Sequence, residues 1–276
     1  MILCAHGYSG NGRDFDRLAA TLAARGARVI CPDFAGRGRS DRLLAGYAFP
    51  QFLADIRALL ARERITRVDW IGTSMGGLLG MLLASQASSP LASLVMNDVG
   101  AWLPAEALAR IARNLDAPQP FATLREAEAH LRHTHREWGI PEDEWKRLVR
   151  HHVHREDDGW HLHYDPRIAA IVQPASFGPG LHFWDAWYRV RCPVLLLRGE
   201  RSEVFPADVA RTMCDIKPAA ALVEVPGAGH APALMSEGEI GLLCRFLALE
   251  PRAARAVSRG TRHEEPHRPF PAARPA

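Results

Sequence analysis

The sequence predicts an α/β fold in which a mostly parallel sheet carries helices on both faces and is interrupted by a helical insertion. Three observations carry this. Short apolar runs alternate with helical stretches through the first hundred residues, the pattern of βαβ units. From Gly100 to about Tyr188 the alternation stops, no clear strand is seen, and the composition changes. The alternation then resumes at Cys192 with two more strands and a helix. A chain of 276 residues is long enough to bury one such core and its insertion without a second independent fold. The expected organisation is a core over 1–99, a helical cap over 100–188, the remainder of the core over 189–249, and a tail over 250–276.

The elements follow in order. Ile2-Leu3-Cys4-Ala5 is strand-like, and Arg13 to Arg25 has helical spacing through Phe15, Leu18 and Leu22. Ala27 to Cys31 is a strand, and the segment from Pro32 to Asp41 is a long loop bearing Gly36 and Gly38. Phe52 to Ala61 places Phe52, Ile56, Leu59 and Leu60 on one helical face. Arg67 to Ile71 and Leu91 to Met96 are strands, with an apolar helix over Leu78 to Ala84 between them. Pro193 to Arg198 and Leu222 to Val225 are the last two strands, followed by a helix over Glu239 to Leu247.

The feature richest in chemistry is Gly72-Thr73-Ser74-Met75-Gly76, set between a strand and an apolar helix. In that context a serine sits on a sharp turn with its hydroxyl above the sheet, and the glycines allow the close backbone approach the turn needs. A serine nucleophile needs a base and an orienting acid, and in this architecture they follow in the order Ser, Asp/Glu, His. His230, in the loop Pro226-Gly227-Ala228-Gly229-His230, is the expected base. The acid is expected in the loop after the Pro193–Arg198 strand, where Glu200 and Glu203 are available. Glu203 is the first choice because it lies further out, and Glu200 reads as a surface charge at the strand end. Asp98, after the Leu91–Met96 strand, is the second candidate. The expected oxyanion donors are the N–H of Tyr8, in His6-Gly7-Tyr8, and that of Met75, which opens a helix.

Composition narrows the alternatives. The formal charge is +3, but six Arg against two Glu beyond residue 250 give the tail +4 and leave −1 on the rest. The basic balance is therefore a property of the tail, and no basic stripe with interleaved aromatics suggests nucleic-acid binding. The tail, rich in Pro, Arg and Ala, is expected to be disordered. Five scattered cysteines argue for a reducing compartment over a disulfide framework. No signal peptide and no membrane-length apolar run is visible, so a cytoplasmic location is the default. Six of seven Trp and nine of thirteen His fall between 101 and 188. The histidines lack an H-E-x-x-H or a clustered carboxylate, so neither a metal nor another cofactor is expected. The expected partner is a small-molecule substrate, with no nucleic acid and no membrane, and the chain is compatible with a homo-oligomer.

His6-Gly7, Asp33-x-x-Gly36-x-Gly38-x-Ser40, the elbow around Ser74, Asn97-Asp98-Val99-Gly100, Leu197-Arg198-Gly199 and Pro226-Gly227-x-Gly229-His230 together resemble the α/β-hydrolase superfamily, over about residues 1–248. The resemblance is closest to capped members such as esterases, lactonases and hydrolases of ring-cleavage products. It implies catalytic roles for Ser74, Glu203 and His230 and a cofactor-independent cleavage of a small ester, lactone or related acyl compound through an acyl-enzyme. The alternatives are C–C bond hydrolysis of a ring-cleavage product and a non-catalytic binding protein on the same fold. The superfamily also begins with an antiparallel strand pair for which this sequence has no residues, so the Ala27–Cys31 strand is expected at a sheet edge.

Overall fold

The computed structural model describes residues 1–115, 120–171 and 178–249. The tail expected from residue 250 lies outside the described residues.

Ile2–Ala5 forms β1, and a 3₁₀ turn (Gly12–Phe15) leads into α1 (Asp16–Ala24). Asn11 caps that turn, accepting from Arg13 N–H, while Asp14 accepts from the Asn11 N–H in return. β2 (Val29–Ile30), α2 (Phe49–Arg62), β3 (Val68–Thr73), α3 (Met75–Ala84) and β4 (Leu91–Asn97) follow. The insertion contributes β5 (Trp102–Pro104), α4 (Ala105–Leu115), α5 (Leu124–Thr134), α6 (Glu142–His152), the hairpin β6 (Val153–Glu156) and β7 (Gly159–Leu162), a 3₁₀ stretch (Pro166–Ile171), β8 (Gly180–His182) and α7 (Trp184–Arg189). β9 (Val194–Gly199), α8 (Ala207–Ile216), β10 (Ala221–Val225) and α9 (Glu237–Phe246) complete the core.

The main sheet has six strands in the order β10-β9-β4-β3-β1-β2, every pairing parallel. β1 is interior and β2 lies at an edge. The four inner strands β9, β4, β3 and β1 are largely buried on both faces, which explains their near-continuous apolar sequences. Side chains alternate between the faces: Ile2, Cys4, Ile71, Val95, Leu195 and Leu197 pack with Phe15, Leu18 and Leu22 and with Ile240 and Leu243 of α9. Leu3, Trp70, Leu94, Met96 and Leu196 point into the other layer with Phe52, Ile56, Leu79 and Trp187. Each fully buried aliphatic or aromatic side chain of this kind contributes about 1.5–3 kcal/mol.

The insertion departs from the sequence expectation. Its described residues hold four short strands in two antiparallel pairs, β5 with β8 and β6 with β7. The β6–β7 pair was hidden because each strand is only four residues long and mixes polar and apolar side chains (Val-His-Arg-Glu and Gly-Trp-His-Leu) without strict alternation; Asp157-Asp158 form its two-residue turn. Because the core strands run parallel, their carboxyl ends share one edge, and the loops leaving that edge are where an α/β sheet places a site.

Candidate active site

Ser74 stands between β3 and α3 with φ 51° and ψ −117°. A non-glycine residue at positive φ is strained by about 1–3 kcal/mol, and such strain persists where surrounding packing over-determines it. That packing is visible on both sides of the serine. A Cβ on Gly76 would lie 2.1 Å from the Ala5 carbonyl oxygen, and one on Gly72 would lie 2.3 Å from the Gly76 carbonyl oxygen. The Trp70 indole donates to that same Gly76 carbonyl at 2.9 Å.

His230 Nε2 lies 2.9 Å from Ser74 Oγ, and His230 Nδ1 lies 2.7 Å from Asp98 Oδ2. Asp98, in the first residue after β4, is fully buried. Its Oδ1 accepts from the Gly199 N–H at 2.7 Å, and its Oδ2 also accepts from the Ser202 hydroxyl at 2.6 Å. Ser202 is fixed in turn, accepting from the Phe205 N–H at 3.1 Å. This carboxylate therefore has partners for both oxygens in a site closed to water, an arrangement that holds it in one orientation.

The sequence expectation for the acid needs correction. Glu203 does not approach His230; its side chain is 70% exposed and forms an ion pair with Arg110 of α4. The loop after β9 turns Ser202 inward onto Asp98, and the next side chain points outward. The chain order of serine, acid and histidine is still kept, with Asp98 reaching His230 from the strand that neighbours both β3 and β9. Glu200 has a different use: its carboxylate accepts from the Gly227 N–H at 2.7 Å and steadies the loop that carries His230. The insertion grips the same loop, since Gly229 and Ala233 donate to the carbonyls of Glu137 and Trp138, each at 2.8 Å. Sequence reasoning missed Ser202, Asn97 and these carbonyl clamps. Asn97 donates to Thr73 Oγ1 and to the Pro232 carbonyl, tying the elbow to the histidine loop.

Tyr8 and Met75, the two residues expected to supply oxyanion donors, line one cavity together with Ser74. Met75 occupies the first position of α3, where a backbone N–H has no acceptor within the helix. The orientation of Tyr8 follows from His6. Burial pushes the His6 imidazole down to about 4, so it is neutral; Nδ1–H donates to the Gly7 carbonyl at 2.7 Å while Nε2 accepts from Phe34 N–H at 3.0 Å. With the Gly7 carbonyl turned towards His6, the trans peptide aims the Tyr8 N–H the opposite way. A Cβ on Gly7 would stand 3.6 Å from that of Ser74, so this peptide lies against the serine.

The next peptide is held by Arg37, a buried guanidinium whose Nε donates to the Tyr8 carbonyl at 2.9 Å. Arg37 Nη2 lies 3.5 Å from the Met75 sulfur, and its guanidinium stacks over Tyr8, Tyr47 and Phe52. Burial lowers its pKa to about 10, which leaves it a cation at neutral pH. Its loop is pinned by Asp33, whose two oxygens accept from the N–H groups of Gly12 and Arg39.

Ser74 opens onto two cavities. The wider, about 820 Å³ including its mouth, is lined by Ser74, His230 and both polar and apolar side chains of the insertion. The narrower, about 440 Å³, is lined by Ser74, Met75 and apolar side chains. Among the described residues one group could hold a metal ion: Glu156, Asp158 and His161 on the β6–β7 hairpin offer ligand atoms within 4.8 Å of one another. These carboxylates already serve His154 and His161 as partners at 2.7 Å. Among the described residues no helix is long and apolar enough to cross a membrane.

The sequence pattern of the Alpha/beta hydrolase family matches residues 2–239. The chain belongs to that family. A 3-hydroxybutyrate-oligomer hydrolase of Cupriavidus necator is 38% identical over 89% of this chain and 87% of its own length. Among solved structures, an α/β hydrolase of Novosphingobium aromaticivorans superposes with a TM-score of 0.80 at 35% identity, covering 90% of this chain and 89% of that one. A protein of Rickettsia typhi superposes with a TM-score of 0.84 at 30% identity, covering 90% and 86%. As a member of this family with curated hydrolase relatives, the chain is a hydrolase.

Proposed function

We propose that this hydrolase cleaves short-chain carboxylic esters through an acyl-enzyme, without a cofactor. The observation that carries the reading is the continuous hydrogen-bonded line Ser74–His230–Asp98. His230 Nε2 takes the serine proton as Oγ attacks the ester carbonyl carbon. Asp98 keeps the Nδ1 proton in place and stabilises the imidazolium that forms. The Tyr8 and Met75 amides receive the oxyanion, and His230 returns its proton to the departing alkoxide. Water, deprotonated by His230, then hydrolyses the acyl-enzyme.

The 38% relative acts, by its name, on 3-hydroxybutyrate oligomers, and short hydroxyacid esters are the substrates we assign first to this chain. The inserted segment from Gly100 to Tyr188 serves as a cap that selects among them, since it supplies much of the wall of the wider cavity. A fluorophosphonate probe should add once, on the Ser74 peptide. Ser74→Ala should abolish the adduct and lower kcat by a factor on the order of 10⁴ or more. Labelling that persists in Ser74→Ala, or full turnover of 3-hydroxybutyrate dimer by that variant, would overturn the assignment.

A further inference from the structure

The two cavities that meet at Ser74 differ in chemistry, and the position of His230 gives them a direction. The narrower is lined by Phe49, Leu78, Val99, Leu103, Leu181 and Val204, with no ionisable side chain besides Tyr8. The wider adds to apolar side chains such as Leu131, Trp138 and Leu162 a set of polar ones that the narrower lacks, Asn114, His130 and His135 among them. No Asp or Glu is among the described residues that line it. Asp14 lies behind His152, held at 2.5 Å from its Nε2, so its charge is already engaged and does not open onto the cavity. The imidazoles of His130 and His135 are held neutral. Burial lowers both, the second to about 3, and the neighbouring His133 and His152 act in the same direction.

His230 lines the wider cavity and not the narrower one. This decides which half of an ester goes where. When the tetrahedral intermediate collapses, the bond from the carbonyl carbon to the alcohol oxygen breaks, its electron pair stays on that oxygen, and the proton on His230 Nε2 goes to it. The bond from Ser74 Oγ to the carbonyl carbon remains. The leaving oxygen must therefore sit on the His230 side, while the acyl chain, still attached to Ser74, remains on the other. The acyl chain then lies on an apolar wall, and the alcohol leaves into a cavity that sets polar groups among apolar ones and whose lining side chains carry no negative charge.

We infer that the wider cavity is a leaving-group site for a hydroxycarboxylate, so that the favoured substrate is an ester joining a short acyl chain to an alcohol that bears a free carboxylate. An anion finds donors there in the Asn114 amide, the Ser9 hydroxyl and the N–H of the neutral His130 imidazole, and no lining carboxylate repels it. The same anion in the narrower cavity would lose its hydration against aliphatic side chains without replacement. This inference rests on the serine-hydrolase reading above and adds the polarity of the substrate.

The test uses the full chain and two butyryl esters that differ only in the leaving group: 3-hydroxybutyrate with its free carboxylate, and the same alcohol as its methyl ester. The free acid should be turned over with kcat/KM at least about tenfold higher, chiefly through KM. Asn114→Asp, which puts a carboxylate at the mouth of the wider cavity, should lower the acid-to-methyl-ester ratio by about tenfold or more. Val204→Phe, which narrows the apolar cavity, should shift the preferred acyl length downward while that ratio stays as it was. Equal kcat/KM for the two esters, or a ratio unmoved by Asn114→Asp, overturns the leaving-group assignment. If neither ester is cleaved and the phosphonate adduct at Ser74 is also absent, the hydrolase mechanism itself has failed and this inference falls with it.

Discussion

Asp98 and Glu203 both lie in loops at the carboxyl edge of one sheet, and both were candidates for the same task, yet the structure treats them in opposite ways. Asp98 is fully buried and has three hydrogen-bond contacts besides proximity-fixing neighbours: His230 Nδ1, the Gly199 N–H and the Ser202 hydroxyl. Glu203 is 70% exposed and faces one arginine across the surface. The difference teaches what an orienting acid requires. A carboxylate that must hold an imidazole in one tautomer needs its own lone pairs committed and water kept away, and only the first loop provides both. Glu203 has the right chemistry at a neighbouring strand end, but its side chain is free to follow solvent.

The sharpest way to break that contrast is Asp98→Asn. The amide keeps the volume, but it removes the charge that stabilises the imidazolium and can present N–H where Nδ1–H must donate. kcat should fall by about 10³–10⁴-fold with KM little changed. The melting temperature separates a catalytic loss from unfolding, because the amide also faces the donors of Gly199 and Ser202. Retention of most activity in a folded variant would show that another residue orients His230.

The contrast extends to histidines. His230 is partly open at the carboxyl edge of the sheet, whereas His6 and His135 are buried and pushed down to about 4 and about 3, mainly by burial. An unfolded histidine takes up its proton near 6.5. Between about pH 6.5 and 4 the unfolded chain therefore binds protons that these two sites refuse, and stability falls as the pH falls, by a few kcal/mol in all. Above pH 6.5 both states are neutral at these positions and the contribution vanishes. Denaturant titrations at pH 7.5 and 5 measure the loss, and His135→Asn should flatten it. Equal stability at the two pH values would mean that these imidazoles are protonated in the folded protein.

Ser202 sharpens the comparison from within the Asp98 loop system. Ser202→Ala removes one charge-assisted hydrogen bond to the buried carboxylate, an interaction of about 1.5–3 kcal/mol. Part of that loss should appear as stability and part as an approximately tenfold fall in kcat, with the fall for Ser202→Thr smaller because the hydroxyl is kept. A variant that loses stability but no activity would reduce Ser202 to a structural role.

Most of the site is legible in the sequence because it is local. Ser74, Met75 and the glycines of the elbow follow one strand and open one helix, and His6-Gly7-Tyr8 directly follows the end of another strand. The acid is not local. Which of two strand-end carboxylates reaches His230 depends on strand order and on whether Ser202 or Glu203 turns inward, and no periodicity encodes a loop conformation. The parallel sheet was legible from strands buried on both faces. The hairpin β6–β7 was not, since its two four-residue strands mix polar and apolar side chains without a strict alternation. The clamps from Glu137 and Trp138 use backbone carbonyls, to which side-chain identity gives no direct clue.

The smallest expected effect is also the one that tests the correction from the other side. Glu203→Gln removes the charge that pairs with Arg110, on a surface where such a pair contributes about 0–1 kcal/mol. Stability should change by no more than about 0.5 kcal/mol, the usual range for surface positions free of structural roles. kcat should remain within about twofold of the starting protein, since nothing joins Glu203 to His230. The decisive measurement is the double variant with Asp98→Asn. If Glu203 stood in reserve as an acid, it would supply part of the residual activity of Asp98→Asn, and removing it would lower kcat again. Independent positions give no such coupling, so the double variant should match Asp98→Asn alone. A further tenfold loss would mean that the loop after β9 can swing Glu203 onto the histidine, and that the difference between the two loops is one of population and not of reach.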